Sequence, residues 1–519
     1  MLIKNRCWII HLSLFSLLTS MAILKYHNLN STILDLGIFI NNFYMISEGH
    51  WERLFLSHIQ PLSFIWSLSF KIFPDDAVPY FILAEQAFLL TFPVVVLYRC
   101  YGIIPTVAFA LYFPLWYNAL FDFHLDHLAI PFLLGFFIME RKGKIGLAVF
   151  FGFLLALVKE IFTMQAIFCG IYLFIIRKHR LGGSILTLAS LVYFFIGCVY
   201  LKTYFNPDVM NNNQVPIGTY SWLGNSFQDV ILTILTKPFW ILKEIFSNEE
   251  RVKYIFYLFG ALGFIPFLKP GILWVTIPIL AHSLLSLDPK HYGFTHHYSA
   301  GLLIPNIIAF AEGIPRAKRL WEHIKLKKQW FEPILCAGLI VCHILLSPSP
   351  ISLKFYNPGA WSHYFAVYIP SERNQIIKTA LKTHIPSDPE EIISIQNSMH
   401  FSYLMRRKTF KVFPHGAVVD SPMHGEKLTW LGFIDFVRTG KPYISSVENA
   451  SANYVVLDLK KPWFIVGQGC YWVSNKCKDD EQFKNYFLDL VSKTRQDFET
   501  IFKEDEFIIL KRRNPSDAP

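Results

Sequence analysis

Charge is scarce in this chain of 519 residues: only 17% are Asp, Glu, Lys or Arg, against 53% hydrophobic and 17% aromatic. A soluble enzyme is excluded by that balance, because the many apolar runs cannot all be buried in water-facing domains. No basic groove with interleaved stacking aromatics is needed to explain the net charge of +10, so nucleic acid is not a partner. No glycine-rich phosphate loop occurs in the C-terminal region, and no His or Cys spacing matches a specific metal-ligand signature. No internal repeat is visible. Of the eight cysteines, six lie in or beside apolar runs, and only Cys470 and Cys477 fall together in the C-terminal region. In an oxidising compartment those two can close a small disulfide loop, and otherwise they are two free thiols.

What is present is a series of apolar runs separated by short basic clusters: Arg141, Lys142 and Lys144; Arg177, Lys178, His179 and Arg180; Arg316, Lys318 and Arg319; Lys325, Lys327 and Lys328. Placing all of these on the cytoplasmic side satisfies the excess of positive charge expected there. The first apolar run, 8–24, follows Lys4 and Arg6, lacks a good cleavage site and is long enough to span the membrane. Further spans are expected near 78–98, 102–120, 127–139, 145–158, 161–176, 183–203, 252–267, 271–287, 297–311 and 330–347, about eleven in all. Residues 59–73 are read as lying on the outer surface, since a crossing there would put two basic clusters outside. The expected class is therefore mainly α: a polytopic α-helical membrane protein, residues 1–349, with the N-terminus inside and a first outer loop over 26–77. From 350 to 519 the pattern turns to that of a small extracytoplasmic α/β domain. Strands are expected at 391–395 and 452–458, helices at 398–405 and 480–492, and a hairpin over 499–512.

The first outer loop holds the leading candidate residue. Ser31 is placed to cap a helix over 33–47, Leu36, Phe39, Ile40 and Phe43 give it an apolar stripe, and Gly49 ends it. Such a helix would lie in the membrane interface and hold Asp35 and Asn42, seven residues apart, on one face. Glu48, His50, Glu52 and Arg53 follow within reach.

Three later stretches put polar groups at the same surface. FDFHLDHLAIPF carries Asp122, His124, Asp126 and His127, which must face water or one another to avoid a desolvation cost. These groups suit a cation or an acceptor hydroxyl, and they also suit a wetted membrane edge. Lys159 and Glu160 interrupt the apolar run 145–176, where an ion facing hydrocarbon costs about 2.5 to 3.5 kcal/mol even on lenient scales. Two short spans meeting at the outer face account for the pair, either as a functional site or as a neutral turn. Tyr220, Trp222, Asn225 and Ser226, with His291, His296, His297 and Tyr298, offer stacking and hydrogen bonds to a sugar or a phosphate, or form an aromatic belt.

Taken in order, DLGIF, SHIQPL, FDFHLDHLAIPFLL, LVKEIF, YSWLGNS and HHYSAGLLIP resemble the landmarks of a family of predicted bacterial membrane proteins of unknown function. That family looks like part of the GT-C superfamily of integral-membrane glycosyltransferases, which includes the aminoarabinose and protein mannosyl transferases. The resemblance covers residues 30–315 and has a weaker echo in SIQNSMHFSYLMRRKTFKVFP and NYVVLDL. It implies a bacterial inner-membrane protein that takes a sugar from a polyprenyl-phosphate donor, in a cavity open to membrane lipid, and transfers it with inversion on the outer face. The acceptor is a glycan, lipid or protein. Asp35 matches the general base of the first outer loop, and Asp126 matches the second acid. The leaving lipid phosphate then needs positive charge, for which Arg53, His58 and Lys159 are nearest in sequence, with His297 as a further donor. Two departures stand out: SHIQPL replaces an acidic-His-Phe-Pro-Pro pattern, and Ile161 stands where similar chains carry a second acid. These leave open whether a divalent cation takes part; no other cofactor is implied.

Two readings of other classes compete. A transporter or lipid flippase would use Asp126, Lys159 and Glu160 as an ion relay, and would show repeats and broken helices around a midplane site. A non-enzymatic anchor for a binding or sensing domain would tolerate any change at Asp35.

Overall fold

A computed structural model describes residues 2–55, 58–201, 219–360, 362–408, 410–413, 452–461 and 480–513. It divides into two compact units: 1–21, 54–62 and 84–365 form the first, and 22–53, 63–83 and 366–519 form the second. The elements used below are, in chain order, α1 (Leu2–His27), α2 (Ile38–Ser47), α3 (Val78–Thr91), α4 (Pro93–Tyr101), α5 (Ile103–Leu111), α6 (Phe113–Leu120) and α7 (Ala129–Arg141). They continue with α8 (Ile145–Ala156), α9 (Glu160–Ile171), α10 (Arg180–Tyr193), α11 (Ile277–Leu285), α12 (Ala300–His323), α13 (Phe331–Leu346), α14 (Glu372–His384) and α15 (Asp480–Asp497).

Among the described residues, four helical stretches are long and apolar enough to cross a membrane: Cys7–His27, Val78–Tyr101, Arg180–Cys198 and Lys328–Leu346. A fifth is added if α5 and α6, bent by 49° at Tyr112, count as one. The sequence reading expects about eleven. The difference arises where an expected span is a short helix: α8 has 12 residues, a rise of about 18 Å. That is less than a hydrocarbon core of about 30 Å. Residues 59–73, read as a surface segment, contain two short helices, Ser63–Ser67 and Ser69–Ile72.

The first unit is built around α12, whose residues Ala300–Ala311 are all buried. Pro305 inside this helix has no N–H, so the carbonyl of Gly301 loses its helical donor. Gln165 on α9 supplies the missing bond, donating Nε2 to Gly301 O at 2.7 Å and to Val275 O at 3.2 Å. Other breaks are satisfied in the same way: Tyr112 donates to Leu258 O at 2.8 Å, and Trp116 donates Nε1 to Ala110 O, the carbonyl that Pro114 leaves open, at 2.8 Å. Helices α9 and α10 approach so closely that a Cβ at Gly183 would lie 2.6 Å from Phe174 N and 2.7 Å from Gly170 O. On the other side of α10, Leu181, Ile185, Leu188 and Val192 are exposed at helical spacing, an apolar stripe suited to lipid.

In the second unit a five-stranded sheet has the order β2-β1-β3-β5-β4, from β1 (Ile393–Gln396), β2 (Phe410–Phe413), β3 (Tyr454–Asp458), β4 (Phe498–Glu504) and β5 (Phe507–Arg512). β1 runs parallel to β2 and β3, while β5 is antiparallel to β3 and β4. All five residues of β3 are buried, as befits a central strand covered on both faces. One face packs Val455, Leu457, Ile508 and Leu510 against Phe487 and Val491 of α15. The C-terminal end of the central strand β3 is tied to α14 by Arg373, which donates to both carboxylate oxygens of the fully buried Asp458 at 2.8 and 2.9 Å.

Helix α2 belongs to this second unit. It is preceded by a π turn, Ile33–Gly37, and the cap position is Thr32 rather than Ser31; neither supplies a side-chain cap, because the Thr32 hydroxyl is turned to the Asp35 carboxylate. The stripe Leu36, Phe39, Ile40 and Phe43 is fully or nearly buried in protein instead of lying in the membrane interface. The reason is that the stripe finds protein partners: Phe43 stacks on Trp66, and Asn41 between the apolar positions donates to the carbonyls of Met405 and Arg407, each at 2.7 Å. Gly49, at φ 94°, closes the helix as its sequence position suggests.

Two stability outcomes are expected. Gln165→Leu leaves the Gly301 carbonyl buried and unpaired and lowers stability by about 1 to 3 kcal/mol, read from thermal unfolding of the purified protein in detergent. Arg373→Met strands the Asp458 carboxylate and costs about 3 to 5 kcal/mol, seen as earlier protease cleavage of the 366–513 region on heating.

Candidate functional site

The first unit holds a buried polar centre on the irregular segment Phe121–Leu128, between α6 and α7. Every residue of that segment is buried. Gln86 on α3 holds it by a two-way clamp, donating Nε2 to Asp122 O at 3.2 Å and accepting from His124 N at 3.0 Å. His127 donates Nδ1–H to the carbonyl of His124 at 2.6 Å, which fixes its tautomer and turns Nε2 toward Glu85, 3.4 Å away. With the backbone fixed at both ends, Asp126 is presented from a short 3-10 turn, Leu125–Leu128.

The Asp126 carboxylate is buried between a cation and an imidazole. Lys159 Nζ lies 3.7 Å from Oδ2, and His297 Nε2 lies 3.7 Å from Oδ1. At that separation the charges attract but no hydrogen bond is formed. Oδ2 of Asp126 and both ring nitrogens of His297 have no hydrogen-bond partner among the described residues. Buried polar atoms are ordinarily paired, so three unpaired ones on two neighbouring side chains mark a place for a polar ligand or water.

Lys159 reaches this position because the run 145–176 breaks there. It occupies the N-cap of α9 with extended backbone, φ −172°, between two apolar helices. The adjacent Glu160 accepts from Ile59 N at 3.3 Å and pairs with His58 at 3.0 Å, so the acid lies at a helix N-terminus where a negative charge is favoured. The two neighbours thus separate in role: Glu160 binds the 58–59 chain and Lys159 faces Asp126.

Around the carboxylate the aromatic groups form a continuous stack. His124 and His297 lie face to face with centroids 3.5 Å apart. Tyr298 packs on His297 at 4.3 Å and on His291 at 4.5 Å, and His282 lies 4.5 Å from His291. Burial pulls His291 down to about 4, so it is neutral near pH 7 and is held by Ser286 at 2.7 Å. Tyr220 bonds to His282 at 2.5 Å, which brings the YSWLGNS segment to the same stack. Trp222 takes a different place, donating to Leu285 O at 2.7 Å and packing beside the Leu223 core, and Asn225 is exposed.

Asp122, His124, Asp126, Lys159, Glu160, His58, His297, Tyr298 and Tyr220 are therefore brought together in one unit, whereas Asp35, Asn42, His50 and Arg53 belong to the other. There Asp35 is half-buried and accepts the Thr32 hydroxyl; Leu34 N and Ile33 N are held by the side chain and carbonyl of Asn397 at 2.9 and 3.0 Å. Arg53 is buried, which lowers its pKa to about 10, and it donates to Asn42 Oδ1 at 3.0 Å and Lys408 O at 3.3 Å. His50 pairs with the fully buried Glu52 at 3.0 Å. Cys470 and Cys477 lie outside the described residues. Among the described residues no group of three or more His, Cys, Asp or Glu side chains is arranged to hold a metal ion.

Sequence reasoning misses Glu85 and Gln86, which supply the clamp and the His127 partner. The signal exists in FILAEQAFLL, an acid and an amide in the middle of an apolar run.

Apolar helices with a small sheet, and ionised groups buried inside the helical unit, define a mainly α-helical membrane protein. The chain belongs to the family described as predicted membrane protein (DUF2079), whose model matches residues 25–394 and so takes in Asp35, Asp126, Lys159 and His297. No curated protein and no solved structure matches it.

Asp126 and Lys159 are expected to be energetically coupled. In a double-mutant cycle, Lys159→Met alone lowers stability, Asp126→Asn in the same protein restores part of it, and the coupling is about 1 to 3 kcal/mol, read from thermal unfolding. Additive losses would mean that the two side chains do not interact.

Proposed function

We propose that the protein is an integral-membrane glycosyltransferase that moves a sugar from a polyprenyl-phosphate donor to an acceptor hydroxyl, with inversion. The observation that carries this reading is the Asp126 carboxylate, buried with an unpaired oxygen between Lys159 and His297. The choice of a sugar on a lipid phosphate comes from the resemblance to GT-C enzymes, whose chemistry needs a base and a counter-charge for phosphate.

In this mechanism Asp126 accepts the acceptor's proton as the acceptor oxygen bonds to the anomeric carbon. The glycosidic C–O bond to phosphate breaks on the opposite face, and the lipid phosphate leaves with the electron pair. Lys159, on a flexible stem, neutralises that leaving group, and His297 supplies a hydrogen bond. Asp126 takes the part that the sequence reading gives to Asp35, since Asp126 shares its unit with the cation and Asp35 already accepts the Thr32 hydroxyl. The same reading includes about eleven crossings of a bacterial inner membrane, the basic clusters and N-terminus on the cytoplasmic side, and reaction and sheet on the outer side.

The test is transfer in membranes supplied with radiolabelled polyprenyl-phosphate sugars, comparing wild type, Asp126→Asn and Asp35→Asn at matched expression. Asp126→Asn is expected to lower transfer by roughly 100- to 10,000-fold, the usual worth of a general base, and Asp35→Asn by much less. The reverse order would move the base to Asp35. No transfer from folded wild type with any donor would overturn the enzyme reading in favour of a transporter or an anchored binding protein.

A further inference from the structure

A second cation in the first unit is half-buried and has no acid paired with it among the described residues. Lys354 follows α13 on a short 3-10 turn, Lys354–Tyr356. The turn is pinned: Leu353 N bonds to Ile344 O at 2.9 Å, and Ser349 to His343 Nε2 at 2.7 Å, while His343 Nδ1 donates to Leu111 O at 2.8 Å. Lys354 is therefore held in place by its backbone. Its ammonium donates to Tyr117 Oη at 3.3 Å and lies 5.7 Å from the centre of that ring. Burial alone lowers its pKa, with no carboxylate acting to restore it.

An ammonium partly withdrawn from water without a counter-charge loses hydration, and a single phenol ring returns only about 0.5 to 2 kcal/mol. The surroundings are suited to an oxyanion. Tyr117 and His363 are both buried, with rings 5.1 Å apart at 75°, so the phenol ring has the Lys354 ammonium and an imidazole as neighbours. His363 Nε2 is 3.4 Å from the carbonyl of Thr295, which joins this corner to the segment carrying His296 and His297. Lysine with neutral donors around it matches the three acceptor oxygens of a phosphate group better than it matches a planar carboxylate, for which a guanidinium is the usual partner.

We infer that Lys354, Tyr117 and His363 form an anion subsite that takes a phosphate group, carried on a lipid or free. The inference rests on this geometry and stands apart from sugar transfer, since phosphate binding is measured without a donor sugar or an acceptor.

The experiment measures binding of radiolabelled inorganic phosphate, and of a short-chain isoprenyl phosphate, to the full-length protein in detergent at low salt. Lys354→Gln is expected to remove one binding event or weaken it by roughly 10- to 100-fold, the worth of a hydrogen bond to a charged group. Lys354→Arg is expected to keep it, since the positive charge and its donors remain. Tyr117→Phe, which keeps the packing, weakens it several-fold and serves if Lys354→Gln does not fold. Loss of both probes together marks a site for phosphate on any carrier; loss of the isoprenyl phosphate alone marks a lipid-borne one. Unchanged binding in Lys354→Gln, or no binding of either probe by wild type, overturns the inference.

Discussion

A carboxylate kept inside an apolar helical unit is the constraint on which the first unit depends. Asp126 gives up hydration there, and Lys159 at 3.7 Å is the group that offsets the loss. To bring that lysine in, the run 145–176 has to break, and the break gives two helices too short to read as full crossings. The neighbouring acid, Glu160, is in turn balanced by His58 and the backbone of Ile59. One buried charge thus accounts for the extended backbone at Lys159, the short helices on either side and the docking of residues 58–59.

Polar side chains elsewhere in the unit answer to a different demand. Gln165 replaces the helical bond that Pro305 removes, Tyr112 closes the open carbonyl of Leu258, Trp116 closes that of Ala110, and Gln86 clamps the backbone around Asp122 and His124. Each of these is spent on main chain, as a low-dielectric surrounding requires. Asp126 and His297 are not: Oδ2 of Asp126 and both ring nitrogens of His297 have no hydrogen-bond partner among the described residues. That contrast separates a site from the ordinary upkeep of a broken helix, and residue type alone would not have separated them.

The parts of the structure legible in the sequence are those fixed by local contrast. Lys159 and Glu160 interrupt an apolar run, FDFHLDH concentrates ionisable groups in seven residues, and the strands and helix of the C-terminal region follow alternation and amphipathic spacing. Partnerships across long separations were not legible. Asp35 and α2 are set by Asn397, Met405 and Arg407, more than three hundred residues away, so an amphipathic stripe that reads as membrane-facing is buried in protein. Lys354 stands in SPSPISLKFYNPG, whose composition says only that a loop is present, and its burial against Tyr117 comes from α6. Glu85 and Gln86 are hidden by the hydropathy of their own helix, since a window long enough to find a crossing averages away two polar residues within it.

Irregular backbone is expensive at membrane depth, because each freed N–H and C=O must find a partner within the protein. The first unit has irregular backbone at Phe121–Leu128, at Lys159 and at residues 286–299, and these three stretches are the ones that meet at Asp126 and the histidine stack. A unit built only to anchor a neighbouring domain gains nothing from breaking its helices there. Straight spans with apolar residues at these positions would be more stable, since exchanging a buried ion pair for well-packed hydrophobic residues is often neutral or stabilising. The retention of an acid, a lysine and stacked imidazoles at the junction of three breaks is therefore best explained by a ligand that those groups hold.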